Sequence, residues 1–248
     1  MFTERNGKLF YTYDNETVCV EAWGRNALRV RITHNAEFNG NDWALTEPVD
    51  QGEAKVVIYK DENTAGGAFA NMFAGKDDSY AAITNGGITG TFNAQGVLTF
   101  TNAAGKVLLK ENWRRLTDDP SMSLKYEGRE FRSVEGDNWR VVLRFLASDS
   151  EKIFGMGQYQ QKYLDQKGCI LELSHRNSQA SVPFYLSSEG YGFLWNNPAI
   201  GKVTFGKNGT EWIADSTKQA DYWIVAGDDP KELEETYTAV TGRAPMMP

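Results

Sequence analysis

Alternation is the feature that most limits what this chain can become. Val18, Val20 and Ala22 recur at every second residue, Gly24-Arg25-Asn26 interrupts, and Leu28, Val30 and Ile32 alternate again. A period of two puts such side chains on one face of an extended strand. A glycine-containing break between two such runs predicts a hairpin. Lys55 to Tyr59 is a short β-branched run. Residues 80 to 110 then repeat the theme, with Ile83, Ile88, Phe92, Leu98, Phe100, Val107 and Leu109 in short strands. Asn85-Gly86-Gly87, Asn93 to Gly96 and Asn102 to Gly105 separate them, and asparagine and glycine are the residues that accept turn backbone angles. Strands are expected again over 139–146, 169–173, 182–188, 191–196, 203–205, 211–214 and 222–225, with a turn at Lys207-Asn208-Gly209. Residues 112–137 are polar and poorly periodic and are expected to form a long surface excursion. Trp113-Arg114-Arg115 within it reads as a solvated turn.

One helix is expected, near the end. Asp229 suits the N-cap and Pro230 the first helical position, and Glu232 stands where a capping box places its carboxylate. Leu233, Tyr237 and Val240 form one apolar stripe, and Gly242 is a stop signal. The expected fold class is therefore all-β. It is a large antiparallel β-sandwich of about fifteen short strands over residues 1–228, with one C-terminal helix at 229–242 packed on it.

Charge and composition narrow the function. The net charge is −7 and no basic stripe is present, which argues against nucleic acid as a partner. No run approaches the roughly 20 apolar residues of a membrane span. The start, MFTERNGKLFYTYD, has neither an apolar core nor a basic leader, so a cytoplasmic protein is expected. Cys19 and Cys169 lie in apolar, strand-like contexts and read as small buried hydrophobes. His34 and His175 have no second ligand at metal-binding spacing, so neither a metal nor any other cofactor is expected.

Motifs for catalysis are equally sparse. Gly155-Met156-Gly157 lacks the third glycine of a dinucleotide loop, and no nucleophile elbow surrounds Ser187-Ser188. Three adjacent acidic pairs occur: Asp77-Asp78, Asp118-Asp119 and Asp228-Asp229. Neighbours on a strand point to opposite faces, so none makes a convincing acid and base about one substrate.

Aromatic residues are the remaining signal. Val182 to Pro198 reads VPFYLSSEGYGFLWNNP, an alternating hairpin with five aromatic rings. Such rings either fill a sandwich core or offer flat faces to the C–H faces of sugars. Under the second view Trp195 and Tyr191 are the candidate stacking residues, with the amides of Asn196 and Asn197 beside them.

Five segments, in order, carry a resemblance. They are Ile153 to Gln158 (IFGMGQ), Val182 to Ser188 (VPFYLSS), Gly190 to Pro198 (GYGFLWNNP), Ala220 to Pro230 (ADYWIVAGDDP) and Thr241 to Pro245 (TGRAP). Together they resemble the N-terminal β-sandwich of glycoside hydrolase family 31, which contains α-glucosidases and α-xylosidases. Residues 1–150 share only its strand-rich character. The resemblance implies a galactose-mutarotase-like sandwich preceding a (β/α)8 barrel, with residues 243–248 as the start of the linker to that barrel. It implies a retaining mechanism whose aspartate nucleophile and aspartate acid/base both sit on the barrel, so no catalytic residue is assigned in this chain.

It also implies a loop from the sandwich that lines the substrate pocket. The matching loop is His175 to Ser181, with Arg176, Asn177 and Ser178 as the candidate pocket residues. Relatives often carry Arg-Asp where Arg176-Asn177 stands. An amide at Asn177 can still donate and accept hydrogen bonds, but it carries no charge. The implied partners are the barrel in cis and an α-linked oligosaccharide held by the full-length enzyme. A stand-alone carbohydrate-binding module is the alternative. An aldose mutarotase is a third, poorly served by two scattered histidines.

Overall fold

In a computed structural model of the chain, residues 1–34, 37–48, 50, 52–59, 79–115 and 125–246 are described. Asp77-Asp78 and Asp118-Asp119 lie outside them. The first quarter forms β1 (Phe2–Arg5), β2 (Lys8–Tyr13), β3 (Glu16–Ala22), β4 (Ala27–His34) and β5 (Lys55–Ile58). Then follow β6 (Ser79–Asn85), β7 (Ile88–Asn93), β8 (Leu98–Asn102), β9 (Val107–Lys110), β10 (Arg114–Arg115) and β11 (Lys125–Tyr126). The second half holds β12 (Arg129–Val134), β13 (Asn138–Phe145), β14 (Ile153–Gln158), β15 (Ile170–Leu173) and β16 (Ala180–Ser187). It ends with β17 (Tyr191–Trp195), β18 (Gly201–Phe205), β19 (Thr210–Thr217), β20 (Ala220–Ala226) and helix α1 (Pro230–Thr241).

The strands form an eight-stranded sheet in the order β1-β2-β3-β4-β20-β17-β16-β14, two five-stranded sheets, β5-β6-β7-β8-β9 and β12-β13-β19-β18-β15, and a two-residue ladder of β10 on β11. Every pairing is antiparallel. One face of the large sheet packs on both smaller sheets in a single core. Val18, Leu28 and Val30 meet Ile83 and Phe100 there, while Tyr185, Phe193 and Tyr222 meet Phe145, Phe205 and Trp212. The architecture is thus the all-β sandwich that the alternation demands. The first two hairpins turn on Asn6-Gly7 and Asp14-Asn15, all four with positive φ, as the twist of two-residue hairpin loops requires.

The other face of the large sheet is covered over β4, β20, β17 and β16. Helix α1 and the segment around Leu45 pack on Phe184, Leu194, Trp223 and Val225. Tyr237 of α1 stacks on Phe184 with ring centroids 3.9 Å apart and planes 6° from parallel. Asp229 caps the helix by accepting from the Lys231 amide at 2.7 Å, and Gly242 ends it at φ 94°. Glu232 takes no part in a capping box. Its carboxylate lies 3.9 Å from the Arg25 guanidinium instead.

Two expectations within 112–137 need correction. Arg114–Arg115 is a short strand rather than a solvated turn, and Arg129–Val134 is a strand in register with β13 from Arg129↔Leu143 to Val134↔Asn138. Strand β12 escapes the alternation test because it is a sheet edge and carries arginine where an apolar residue is expected. Arg129 is drawn inward by Glu16 and by Glu111, the latter at 2.9 Å. A paired guanidinium replaces an apolar side chain there.

Beneath α1 and its flanking segment lies the most elaborate polar contact. Arg29 on β4 donates to both carboxylate oxygens of Asp221 on β20, at 3.1 and 2.7 Å, and to Asp42 at 2.7 Å. Its guanidinium lies 4.5 Å from the Trp23 ring centroid. Burial alone would lower the Arg29 pKa, but the hydrogen bonds to Asp221 and Asp42 hold it above the ordinary arginine value. Removing one partner of a buried pair strands the other charge, so Arg29→Met is expected to cost about 3–5 kcal/mol. The double variant with Asp221→Leu should cost less than the sum of the single ones, as read by urea denaturation. Additive losses would show that the pair is not coupled.

Three tyrosines define an alkaline limit. Tyr185, Tyr191 and Tyr222 are raised well above 10.0, first by burial, with Glu151 close to the first two and Glu111 to the third. The folded state therefore holds these protons more tightly than the unfolded one. Stability should be unaffected by these groups below about pH 10 and fall as pH rises above it. Phenolate absorbance should reveal these three of the eleven tyrosines only as the protein unfolds. Reversible ionisation of all eleven in the folded protein would contradict their burial.

Candidate functional site

The hairpin expected to carry sugar-stacking rings does something else. Tyr191 and Trp195 are only 2% and 1% exposed. Strand β17 lies inside the large sheet, with β20 on one side and β16 on the other. Trp195 stacks on Trp212 at 5.5 Å, and the Tyr191 hydroxyl donates to Glu151 at 2.7 Å. The neighbouring positions on the opposite face, Phe184 and Leu194, are under α1. Both faces of the hairpin are therefore used for packing, and neither Tyr191 nor Trp195 offers a ring to a ligand. Asn196 is equally structural: its amide donates to the Asp42 carbonyl at 2.9 Å and accepts from the Ala44 amide at 3.1 Å. The Asn197 amide donates to Thr217 and to the Gln219 carbonyl.

Arg176, Asn177 and Ser178 stand together at the tip of a second, smaller hairpin that links β15 to β16. Arg176 and Gln179 bridge through their backbones at 3.3 and 3.1 Å, so Asn177 and Ser178 form a two-residue turn. All three candidate residues are exposed. Arg176 does not reach outward freely. It donates to both Glu172 oxygens, at 2.9 and 2.5 Å, and those bonds hold the Glu172 carboxyl below its usual range. The Asn177 amide and the Ser178 hydroxyl are left to present donors and acceptors at the tip. Ser178 has φ 64°, a left-handed conformation that a side chain disfavours.

What fixes the base of this hairpin is a residue pattern that the sequence presents as an incomplete phosphate loop. Gly155, Met156 and Gly157 all have positive φ, at 121°, 74° and 91°, and the register with β16 slips between Gly155 and Gly157. This is a β-bulge on the edge strand of the large sheet. Met156 is buried in the core. The Gly157 backbone lies so close to β16 that a Cβ would strike the Ala180 carbonyl oxygen and come within 2.7 Å of the Val182 nitrogen. Beyond the bulge, the Tyr159 hydroxyl bonds to the Glu172 carbonyl at 3.1 Å and to Ser181 Oγ at 2.8 Å, tying the strands on either side of the tip together. Burial raises the Tyr159 pKa in spite of its bond with Ser181. His175 Nδ1 lies 3.4 Å from the Ser181 amide. Tyr159 and the bulge were invisible as site residues. The only signal was glycine at 155 and 157, where a strand ordinarily avoids it.

Among the described residues no three His, Cys, Asp or Glu side chains group to hold a metal ion, and no helix is long and apolar enough to cross a membrane. Asp229 is spent on its helix cap.

The profile of the Glycosyl hydrolase 31 N-terminal galactose mutarotase-like domain matches residues 17–203. An uncharacterised family 31 glucosidase of Pseudescherichia vulneris is 39% identical over 99% of this chain, which spans 45% of that protein. Alpha-xylosidase A of Aspergillus niger is 28% identical over 94% of the chain, spanning 31% of that enzyme. Among solved structures, a GH31 α-xylosidase from a soil metagenome, complexed with xylose, superposes on the whole chain. Its TM-score is 0.87 and its identity 44%, and the match takes up 35% of that structure. The chain thus spans less than half the length of these relatives.

Gly157→Ala is expected to lower stability by roughly 2–4 kcal/mol, because both the clash and the positive φ act against a side chain. Ser178→Gly should be neutral or stabilising by about 1 kcal/mol. Thermal melts of the two variants test this. A harmless Gly157→Ala would remove the bulge as the element that positions the hairpin.

Proposed function

The chain belongs to glycosyl hydrolase family 31, as its N-terminal galactose mutarotase-like domain, and from that premise we propose that it serves a retaining α-glycosidase in two ways. It braces the catalytic barrel, and it extends the Arg176-Asn177-Ser178 hairpin into the substrate pocket. The observation that carries this is the match of the whole chain to 35% of an α-xylosidase at 44% identity. The nucleophile and acid/base are supplied by the barrel and act on an α-linked oligosaccharide. In this arrangement Asn177 hydrogen-bonds a substrate hydroxyl, and Arg176, neutralised by Glu172, sets the shape of the tip. α-Xylosides are the first substrates to test, since two of the relatives are α-xylosidases. Cys19 and Cys169 are free, which suits a reducing compartment, and we place the protein in the cytoplasm.

The full-length product of the gene is expected to hydrolyse an aryl α-xyloside or α-glucoside with retention, while the 248-residue chain alone is inert. Asn177→Ala in the full-length protein should lower kcat/KM about tenfold, the value of one hydrogen bond to a substrate hydroxyl. Turnover by the isolated chain would sink the assignment of catalysis to the barrel. An unchanged kcat/KM in Asn177→Ala would sink the role of the hairpin.

A further inference from the structure

At the far end of β18 from the hairpin lies a concave site of about 340 Å³. The two features are placed by register. Leu173, which leads into the hairpin, pairs with Gly201, whereas the cavity is built around Thr204 and the β18–β19 turn. One strand, about 13 Å long, separates these ends. The cavity lies within the range typical of small-molecule pockets, at its lower limit.

Its lining is polar without free charge. Arg144 Nε and Nη2 donate to Glu211 and Glu130 at 2.8 and 2.9 Å, and Nη1 donates to the Glu127 carbonyl at 3.1 Å. The charges are thus spent on one another, and nothing is left to select an anion or a cation. What remains are uncharged groups. Asn112 is 6% exposed and Thr210 is 4% exposed, and both line the cavity. Neither side chain has a hydrogen-bond partner among the described residues. Neither is among the sealed, unpartnered polar groups of the described interior, so the Asn112 amide and the Thr210 hydroxyl open onto the cavity, where a ligand can meet them. Trp113, half-buried, supplies an aromatic face beside them, and Asn208 adds a second amide from the turn.

We propose that this cavity is a binding site for a neutral sugar ring. The Asn112 amide and Thr210 hydroxyl meet ring hydroxyls, Asn208 closes over them, and Trp113 contacts the C–H face. An indole beside unpaired amide and hydroxyl groups is the chemistry that a polyhydroxylated, uncharged ring satisfies. Nothing here depends on the Arg176-Asn177-Ser178 hairpin.

The test uses the 15N-labelled 248-residue chain, with the Trp113 indole N–H signal identified by its loss in Trp113→Phe. Titration with xylose, glucose or isomaltose should move that signal saturably, with a midpoint of order millimolar. Asn112→Ala should weaken binding about tenfold, as the loss of one or two hydrogen bonds requires. Asn208→Ala, in an exposed turn, should weaken it several-fold and serves if Asn112→Ala does not fold. Asn177→Ala should leave the midpoint unchanged, which separates this site from the hairpin. No saturable shift up to about 100 mM sugar, or equal midpoints in the parent and Asn208→Ala chains, would overturn the proposal. So would saturation by acetate or sulfate in place of sugar.

Discussion

The antiparallel pairing of β4 with β20 holds the large sheet together. Strand β20 has β4 on one side and β17 on the other, so the four N-terminal strands join the three C-terminal ones only through it. All seven residues of β20 are buried. The partners come from opposite ends of the chain, as the separation of 192 residues between Arg29 and Asp221 illustrates. Closing so long a loop is entropically unfavourable, and the contacts that follow must offset it. On the inner face Tyr222 and Ile224 join the common core. On the outer face Trp223 and Val225 lie beneath α1, and Asp221 binds Arg29. An ion pair so deeply buried contributes less to net stability than its distances suggest, because both ions are desolvated. It disfavours every register that leaves either charge alone.

Covering both faces of that sheet has a functional consequence. A sandwich with one solvated face could have lent its aromatic hairpin to a ligand. Here α1 and the segment around Leu45 close the outer face, so Phe184 and Leu194 are as occupied as Tyr185 and Phe193. The β14 edge carries the bulge that sets the small hairpin, and the end of β18 opens into a cavity with unpaired polar groups. Two residues there other than glycine, Met156 and Ser178, hold positive φ. Such conformations persist only where surrounding packing enforces them. Met156 is held by its burial, and Ser178 by the backbone bridge between Arg176 and Gln179.

Charge follows the same economy. The chain is acidic overall, yet its inward-facing carboxylates are matched: Glu21 by Arg31 and Lys8, Glu111 by Arg129, Glu151 by Lys167. Glu151 also accepts from Ser187 at 2.6 Å, so the serine that stands beside a turn anchors a carboxylate instead of serving as a nucleophile. The buried carboxylates Glu21, Glu111 and Glu151 are thus all paired internally.

By itself the sequence determined most of the strands, most of the turns and the helix, because each rests on local physics. Alternation is a property of the extended backbone, Asn-Gly and Asn-Ala-Ala-Gly stretches accept turn angles, and Asp229-Pro230 to Gly242 carries its own start and stop signals. The five ordered segments likewise carried the family. Period two says that a face is apolar but not what covers it, so the placement of Tyr191 and Trp195 in the core rather than on a surface was decided only when the sheet holding β18 and β19 packed on the large one. Strand β12 was hidden because Arg129 is satisfied by Glu16 and Glu111, residues remote in sequence. The bulge at Gly155 to Gly157 depends on how closely β16 approaches, and the cavity depends on Asn112 and Trp113, which follow β9, meeting β13 and the β18–β19 turn in space. These are long-range encounters. They are energetically decisive but leave no periodic trace along the chain, which is why only the tertiary structure could decide them.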